Sequence, residues 1–157
     1  MDARSGLTLV DTNVFVIDLR YRRDRHFSVN RRFLTRLARI GDGATSIFNV
    51  LEVCGILSFN LNAHQLRELF HYFPQKYHIQ VLPISQMGQS LPSFTVENVF
   101  RWMEQKASFG DALLMAALVT YLPEVVRFVS WDADHFRGKL RIPVLTPQEF
   151  LRKGSGG

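Results

Sequence analysis

Apolar positions along the chain fall into short continuous runs that alternate with longer stretches of helical spacing. The first run, Leu7-Thr8-Leu9-Val10, carries no charge. Such a run suits a strand buried on both faces of a parallel sheet. A short helix is predicted after Asp11, through Arg20, and then a loop over Tyr21–Phe27. Ser28 is the predicted N-cap of a helix to about Ile40, with Val29, Phe33, Leu37 and Ile40 on one face and Arg31, Arg32, Arg36 and Arg39 on the other. Gly41-Asp42-Gly43 stops it. Ala44-Thr45-Ser46 reads as a second strand. Ser46 then caps a helix from Ile47 to about Phe59, which is apolar nearly all round and so expected to be buried. Asn62 caps a further helix, Ala63–Phe73, ended by Pro74. Tyr77–Leu82 alternates and reads as a third strand, and Ile84–Phe94 as a loop. Thr95 or Ser93 opens a helix over Val96–Lys106. Gly110-Asp111 starts another, Ala112–Tyr121, which Pro123 breaks. Val125–Ser130 is a fourth strand, Ile142–Leu145 a last β segment, and Pro147 sits in the first turn of a terminal helix. Strands alternating with helices predict an α/β fold on a short, mainly parallel sheet. No repeat or linker divides the chain, so residues 1–153 are expected to form one domain, with 154–157 a flexible tail.

Composition adds modest limits. Of 157 residues, 46% are apolar and 21% charged, which is globular and not disordered. No apolar run approaches the roughly 20 residues of a membrane helix, and Leu7–Val10 is too short for the core of a signal peptide. The single cysteine, Cys54, excludes an internal disulfide and a multi-cysteine zinc site, and a reducing cytoplasm is the expected compartment. The five histidines show no metal-ligand spacing. There is no G-x-S-x-G elbow, phosphate-binding loop or dinucleotide fingerprint. Net charge is only +5, but eight arginines lie from Arg20 to Arg39 with Asp24 as the sole acid among them. That clustering points to a polyanionic partner.

The acids are placed unusually. Asp11, Glu52 and Asp111 each stand as the sole charge in a long apolar stretch, and Asp132 ends the fourth strand's apolar run. An unpaired buried carboxylate is costly. Asp11 and Asp132 are predicted at the carboxyl ends of parallel strands, the edge where open α/β sheets place ligands. Glu52 and Asp111 are predicted in first helical turns facing the same edge. Four converging carboxylates need a cation, and an all-oxygen set suits Mg²⁺ or Mn²⁺. Such a site suits hydrolysis of a phosphodiester.

The segments Asp11-Thr12-Asn13-Val14-Phe15, Glu52, Gly110-Asp111-Ala112-Leu113-Leu114-Met115-Ala116-Ala117 and Ser130-Trp131-Asp132-Ala133-Asp134-His135-Phe136 resemble the motifs of PIN-domain ribonucleases, in order. Ile142–Leu151 is similar to that family's closing strand and helix. Size and layout most resemble the toxins of VapBC toxin–antitoxin pairs. The resemblance implies a three-layer fold and a Mg²⁺- or Mn²⁺-dependent endoribonuclease using one or two ions. Asp11, Asp111 and Asp132 would be ligands, and Glu52 would act directly or through water. Asn13 and Ser130 would orient ligands or water, and Asp134 would support the motif. Arg31, Arg32 and Arg36 are candidates for holding RNA. A cognate antitoxin is the expected partner beside RNA, a homodimer is left open, and no membrane is involved. Two alternatives remain: a PIN nuclease of RNA processing with no antitoxin, and a non-catalytic RNA- or protein-binding module. Trp131 departs from the family's pattern by setting a bulky aromatic beside Asp132.

Overall fold

The computed structural model describes residues 6–154. Five strands form one all-parallel sheet in the order β3-β2-β1-β4-β5. They are β1 (Leu7–Val10), β2 (Gly43–Ser46), β3 (Gln80–Leu82), β4 (Val125–Val129) and β5 (Val144–Leu145). Between and after them run α1 (Thr12–Arg20), α2 (Phe27–Ile40), α3 (Ile47–Leu57), α4 (Ala63–Tyr77), α5 (Val96–Glu104), α6 (Phe109–Tyr121), α7 (Ala133–Phe136) and α8 (Pro147–Lys153). Successive side chains of a strand face opposite sides, and the core divides accordingly. Val10, Val129 and Leu145 pack under α1–α4 and α8. Their neighbours Leu9, Phe128 and Val144 pack under α6 and α7. The fold is therefore a three-layer α/β sandwich. The strand order reverses between β1 and β4, so a crevice opens at their carboxyl ends.

Most boundaries follow local chemistry. Ser46, Asn62 and Thr146 each close a reciprocal capping box, and Gly41 ends α2 at φ 83°. Several expectations are corrected. α2 begins at Phe27, one residue before the expected cap Ser28, because Asp24 Oδ1 accepts the His26 N–H at 2.7 Å and turns the chain earlier. α4 continues through Pro74 to Tyr77, and β3 starts later, at Gln80. The proline deletes one backbone bond in the last turns. The Tyr77 ring compensates by packing 4.9 Å from Phe15 and 5.1 Å from Phe73. α3 is shorter than expected and not buried all round, since Leu51 and Glu52 are exposed on one flank. α5 stops at Glu104, and Ser108 rather than Gly110 opens the next helix, α6. The one-turn α7 is too short to show a period in the sequence. Of the tail, residues 155–157 lie outside the described residues.

Candidate active site

β1 delivers Asp11 to the crevice, where it follows the strand directly and serves as the N-cap of α1. The residue is only 7% exposed. Its Oδ1 accepts the Thr12 N–H at 2.8 Å and the Asn49 Nδ2–H at 3.3 Å. Its Oδ2 accepts the Ser130 hydroxyl at 2.7 Å and the Asn13 side-chain amide at 3.5 Å. All four donors are neutral. Burial, with the Asp111 and Glu52 charges added to it, outweighs them and pushes the Asp11 carboxyl up to about 7. Glu52 is also raised, first by desolvation and then by Asp111, against the lowering effect of the Thr12 hydroxyl.

These three acids line one cavity of about 310 Å³, with Asn49 and Phe109 in its wall and no basic side chain among its lining. Asp111 sits in the first turn of α6, as expected. Glu52 does not occupy a first turn: it is the sixth residue of α3 and reaches the cavity from the second turn. Gly110 makes that reach possible, because a Cβ there would lie 2.9 Å from Glu52 Oε2.

The other predicted residues sort themselves by their neighbours. Ser130 accepts the Asn13 amide at 3.1 Å and the Asp132 N–H at 3.0 Å while donating to Asp11. Asn13 therefore steers Ser130, and Ser130 steers Asp11. Asp132 is outside the cavity's lining. It is exposed, its carboxylate has no hydrogen-bond or ion-pair partner among the described residues, and it is not among the groups that perturb Asp11. Asp134 points to solvent and pairs with Arg137 at 2.5 Å, while Arg137 also grips Glu149 of α8. Its role there is to pin α7.

Three residues of the site escape a reading of the sequence. Asn49 donates to Asp11 and, at 3.0 Å, to the Thr12 hydroxyl. Its capping position three after Ser46 is readable, but not its bond to a residue 38 positions earlier. Thr12 links Asp11 to Glu52. His135 Nε2 lies 3.1 Å from Asp111 Oδ2 and covers one side of that carboxylate. No spacing rule connects the two.

The arginines split into two groups. Arg31 is bound at 2.6 Å to buried Asp18, and Arg36 donates to the Leu151 carbonyl at 3.0 Å. With Arg32 and Arg39 they line a cavity of about 480 Å³ between α2 and α8, which shares no residue with the acid cleft. α2 starts beside Trp131 at the crevice and descends at about 1.5 Å per residue, so this row runs down the side of the molecule. Arg22, Arg23 and Arg25 are exposed on the loop between α1 and α2, and Arg25 reaches His26, which stacks on Trp131.

An all-oxygen, anionic pocket is the donor chemistry of a hard cation that keeps several of its own waters. Burial keeps the Asp11 carboxyl raised to about 7 despite its neutral donors, and a cation in the pocket would lower it. Among the described residues no group of three or more acid, histidine or cysteine side chains is placed so as to hold a metal ion. None of the described helices is long and apolar enough to cross a membrane. No protein-family model and no curated protein matches the chain.

Proposed function

We propose that this chain is a Mg²⁺- or Mn²⁺-dependent endoribonuclease of the PIN type, held silent by an antitoxin in the cytoplasm. One observation carries the reading: Asp11, Glu52 and Asp111 share a cleft with no lysine or arginine in its lining among the described residues, and only the His135 imidazole stands beside them, on Asp111. Asp11 is the buried member of the three, and proteins rarely bury charge without a partner. Asp11, Asp111 and Glu52 would hold the ion, with Asp132 outside the cavity's lining. The ion would supply a Lewis acid for the phosphodiester and lower the pKa of a water. The chain's own residues do the rest. Ser130, Asn13 and Asn49 fix both oxygens of Asp11, so its carboxylate is oriented before substrate arrives. Thr12 restrains Glu52, and His135 restrains Asp111.

The partner half of the proposal rests on surface. The apolar faces of α2 and α4 are spent on the core through Phe33, Leu37, Phe70 and Phe73. α5 has no fully buried residue, its Val99, Trp102 and Met103 only half-buried against the core, and Val96, Phe100 and Phe109 stand exposed beside the cleft. Phe109 belongs to both the apolar groove and the acid cavity. A partner segment that is apolar and then basic would fill both, its cation standing in for the metal's charge.

The test is cleavage of total RNA with Mg²⁺ or Mn²⁺, with EDTA, and with the adjacent open reading frame co-expressed. Metal-dependent cleavage relieved by that partner supports the whole proposal. Undiminished cleavage in excess EDTA, with contaminating nuclease excluded, ends the metal mechanism. A nuclease that is harmless when expressed alone and purifies with nothing is an RNA-processing enzyme instead.

A further inference from the structure

Trp131 is not simply core. Its backbone N–H donates to Asn13 Oδ1 at 3.2 Å, and its indole N–H donates to Asn30 Oδ1 at 2.8 Å. Asn30 is fully buried and is itself held by the Val14 carbonyl at 2.9 Å. The ring is thus pinned from both ends, and one of its anchors, Asn13, also touches Asp11 and Ser130. His26 lies flat on this ring, with centroids 4.0 Å apart and planes 20° apart. His26 is half-exposed, and Trp131 is the one ring it meets among the described residues. Arg25 Nε donates to His26 Nε2 at 3.3 Å, which sets a guanidinium at the edge of the ring. Arg22 and Arg23 are exposed on the same loop. Asp132 follows Trp131 directly, so the stack borders the acid cleft.

We infer that the His26–Trp131 stack is a nucleobase platform, on which one base of a single-stranded RNA stacks against His26 while Arg22 and Arg25 hold its phosphates. The inference rests on the nuclease reading for its substrate and adds where that substrate is gripped. Stacking needs a flat, rigid, half-exposed π surface, and every base has a face to offer it. A platform fixed in advance binds without the cost of ordering it. Arginine is suited to the flanking phosphate, because its planar fork binds two oxygens. The acid cleft repels phosphate, and Arg25 sets a positive charge at the edge of the stack.

The experiment uses the full chain carrying D11N, so that RNA is bound and not consumed. A short single-stranded oligoribonucleotide is scanned with an abasic nucleotide at each position, and Kd is read by fluorescence anisotropy. One position should cost about tenfold to a hundredfold when abasic. In the H26A background that penalty should vanish, and in H26F it should persist. Merely structural support by His26 would lower affinity evenly across the scan. If H26A fails to fold by thermal melt, H26F against H26L asks the same question, since both fill the space and only one stacks well. The pair R22Q/R25Q should flatten the slope of log affinity on log salt by about 0.7 for each phosphate that the two arginines hold. Identical abasic profiles in H26A and its parent, or equal affinities of H26F and H26L, overturn the platform. Cleavage by the otherwise wild-type chain separates the two claims. Metal-dependent cleavage with no effect of His26 on the scan keeps the nuclease and removes the platform. A His26-dependent scan with no cleavage by the wild type keeps the platform and removes the nuclease. No binding of any oligoribonucleotide at low salt overturns both, and leaves the stack as a surface for a protein.

Discussion

Two aspartates on one short helix meet opposite fates. Asp11 caps the start of α1 and Asp18 lies near its end, and each is 7% exposed. Asp18 receives the Arg31 guanidinium at 2.6 Å and the Tyr77 hydroxyl at 2.8 Å. A cation and a phenol satisfy it, and the trio ties α1 to α2 and α4. Asp11 receives only neutral donors and faces two further carboxylates. The same burial thus produces a structural joint at one end and an electrostatic deficit at the other. A buried acid that the fold has matched with a cation belongs to the scaffold. One left among like charges is what the proposed metal site would require.

The largest break in this comparison is predicted for cleavage. D11N or D111N should lower metal-dependent RNA cleavage by at least about a thousandfold, roughly 4 kcal/mol of barrier, with circular dichroism unchanged. D18N should keep most of the activity, because Asp18 touches nothing in the cleft. An equal fall in D18N would mean that the two aspartates do not divide as described.

Stability should respond in the opposite sense. R31M leaves Asp18 buried with one neutral partner and should destabilise the fold by about 1–3 kcal/mol in urea melts. This is less than for a fully buried pair, because the Arg31 side chain is 60% exposed. Y77F removes one buried hydrogen bond and should cost about 1 kcal/mol.

D11N should instead stabilise the metal-free protein. Its carboxyl titrates at about 7 when folded against an ordinary 3.8. The folded state therefore binds a proton more tightly than the unfolded chain. Its contribution is fully present below about pH 4, is lost as pH rises toward 7, and stays lost above. Ionised Asp11 costs the fold up to roughly 4 kcal/mol, at about 1.36 kcal/mol per pH unit. D11N escapes that cost, less whatever its amide loses against Ser130. In EDTA its melting temperature should exceed the parent's at pH 8 and converge on it near pH 4. A gap that does not grow with pH would remove the electrostatic account.

The smallest effect sharpens the geometry. G110A adds a Cβ against Glu52 Oε2, the free end of a flexible side chain. The fold should be unchanged or gain up to about 1 kcal/mol of helix propensity. Cleavage should fall severalfold as Glu52 is pushed aside, and E52Q should make G110A silent.

Local features and costly ones are legible along the chain. Continuous apolar runs announced β1 and β4, and hydrophobic period with Ser46, Asn62 and Gly41 bounded the helices. Asp11, Glu52 and Asp111 were legible as candidate site residues because a lone charge in a long apolar stretch demands a reason. Tertiary structure brought Asp11, Glu52 and Asp111 to one cavity and left Asp132 exposed outside its lining. It joined Asn49 to Asp11 and His135 to Asp111, stacked His26 on Trp131, and drew Arg31 and Arg36 into structural bonds. It also carried α4 through Pro74, where burial of Tyr77 outweighs one missing backbone bond. Ser130 reaches Asp11 across 119 residues, and Arg36 reaches Leu151 across 115. Local propensity has no means of expressing such separations: only the folding of β1 beside β4, and of α2 beside α8, brings those atoms within reach.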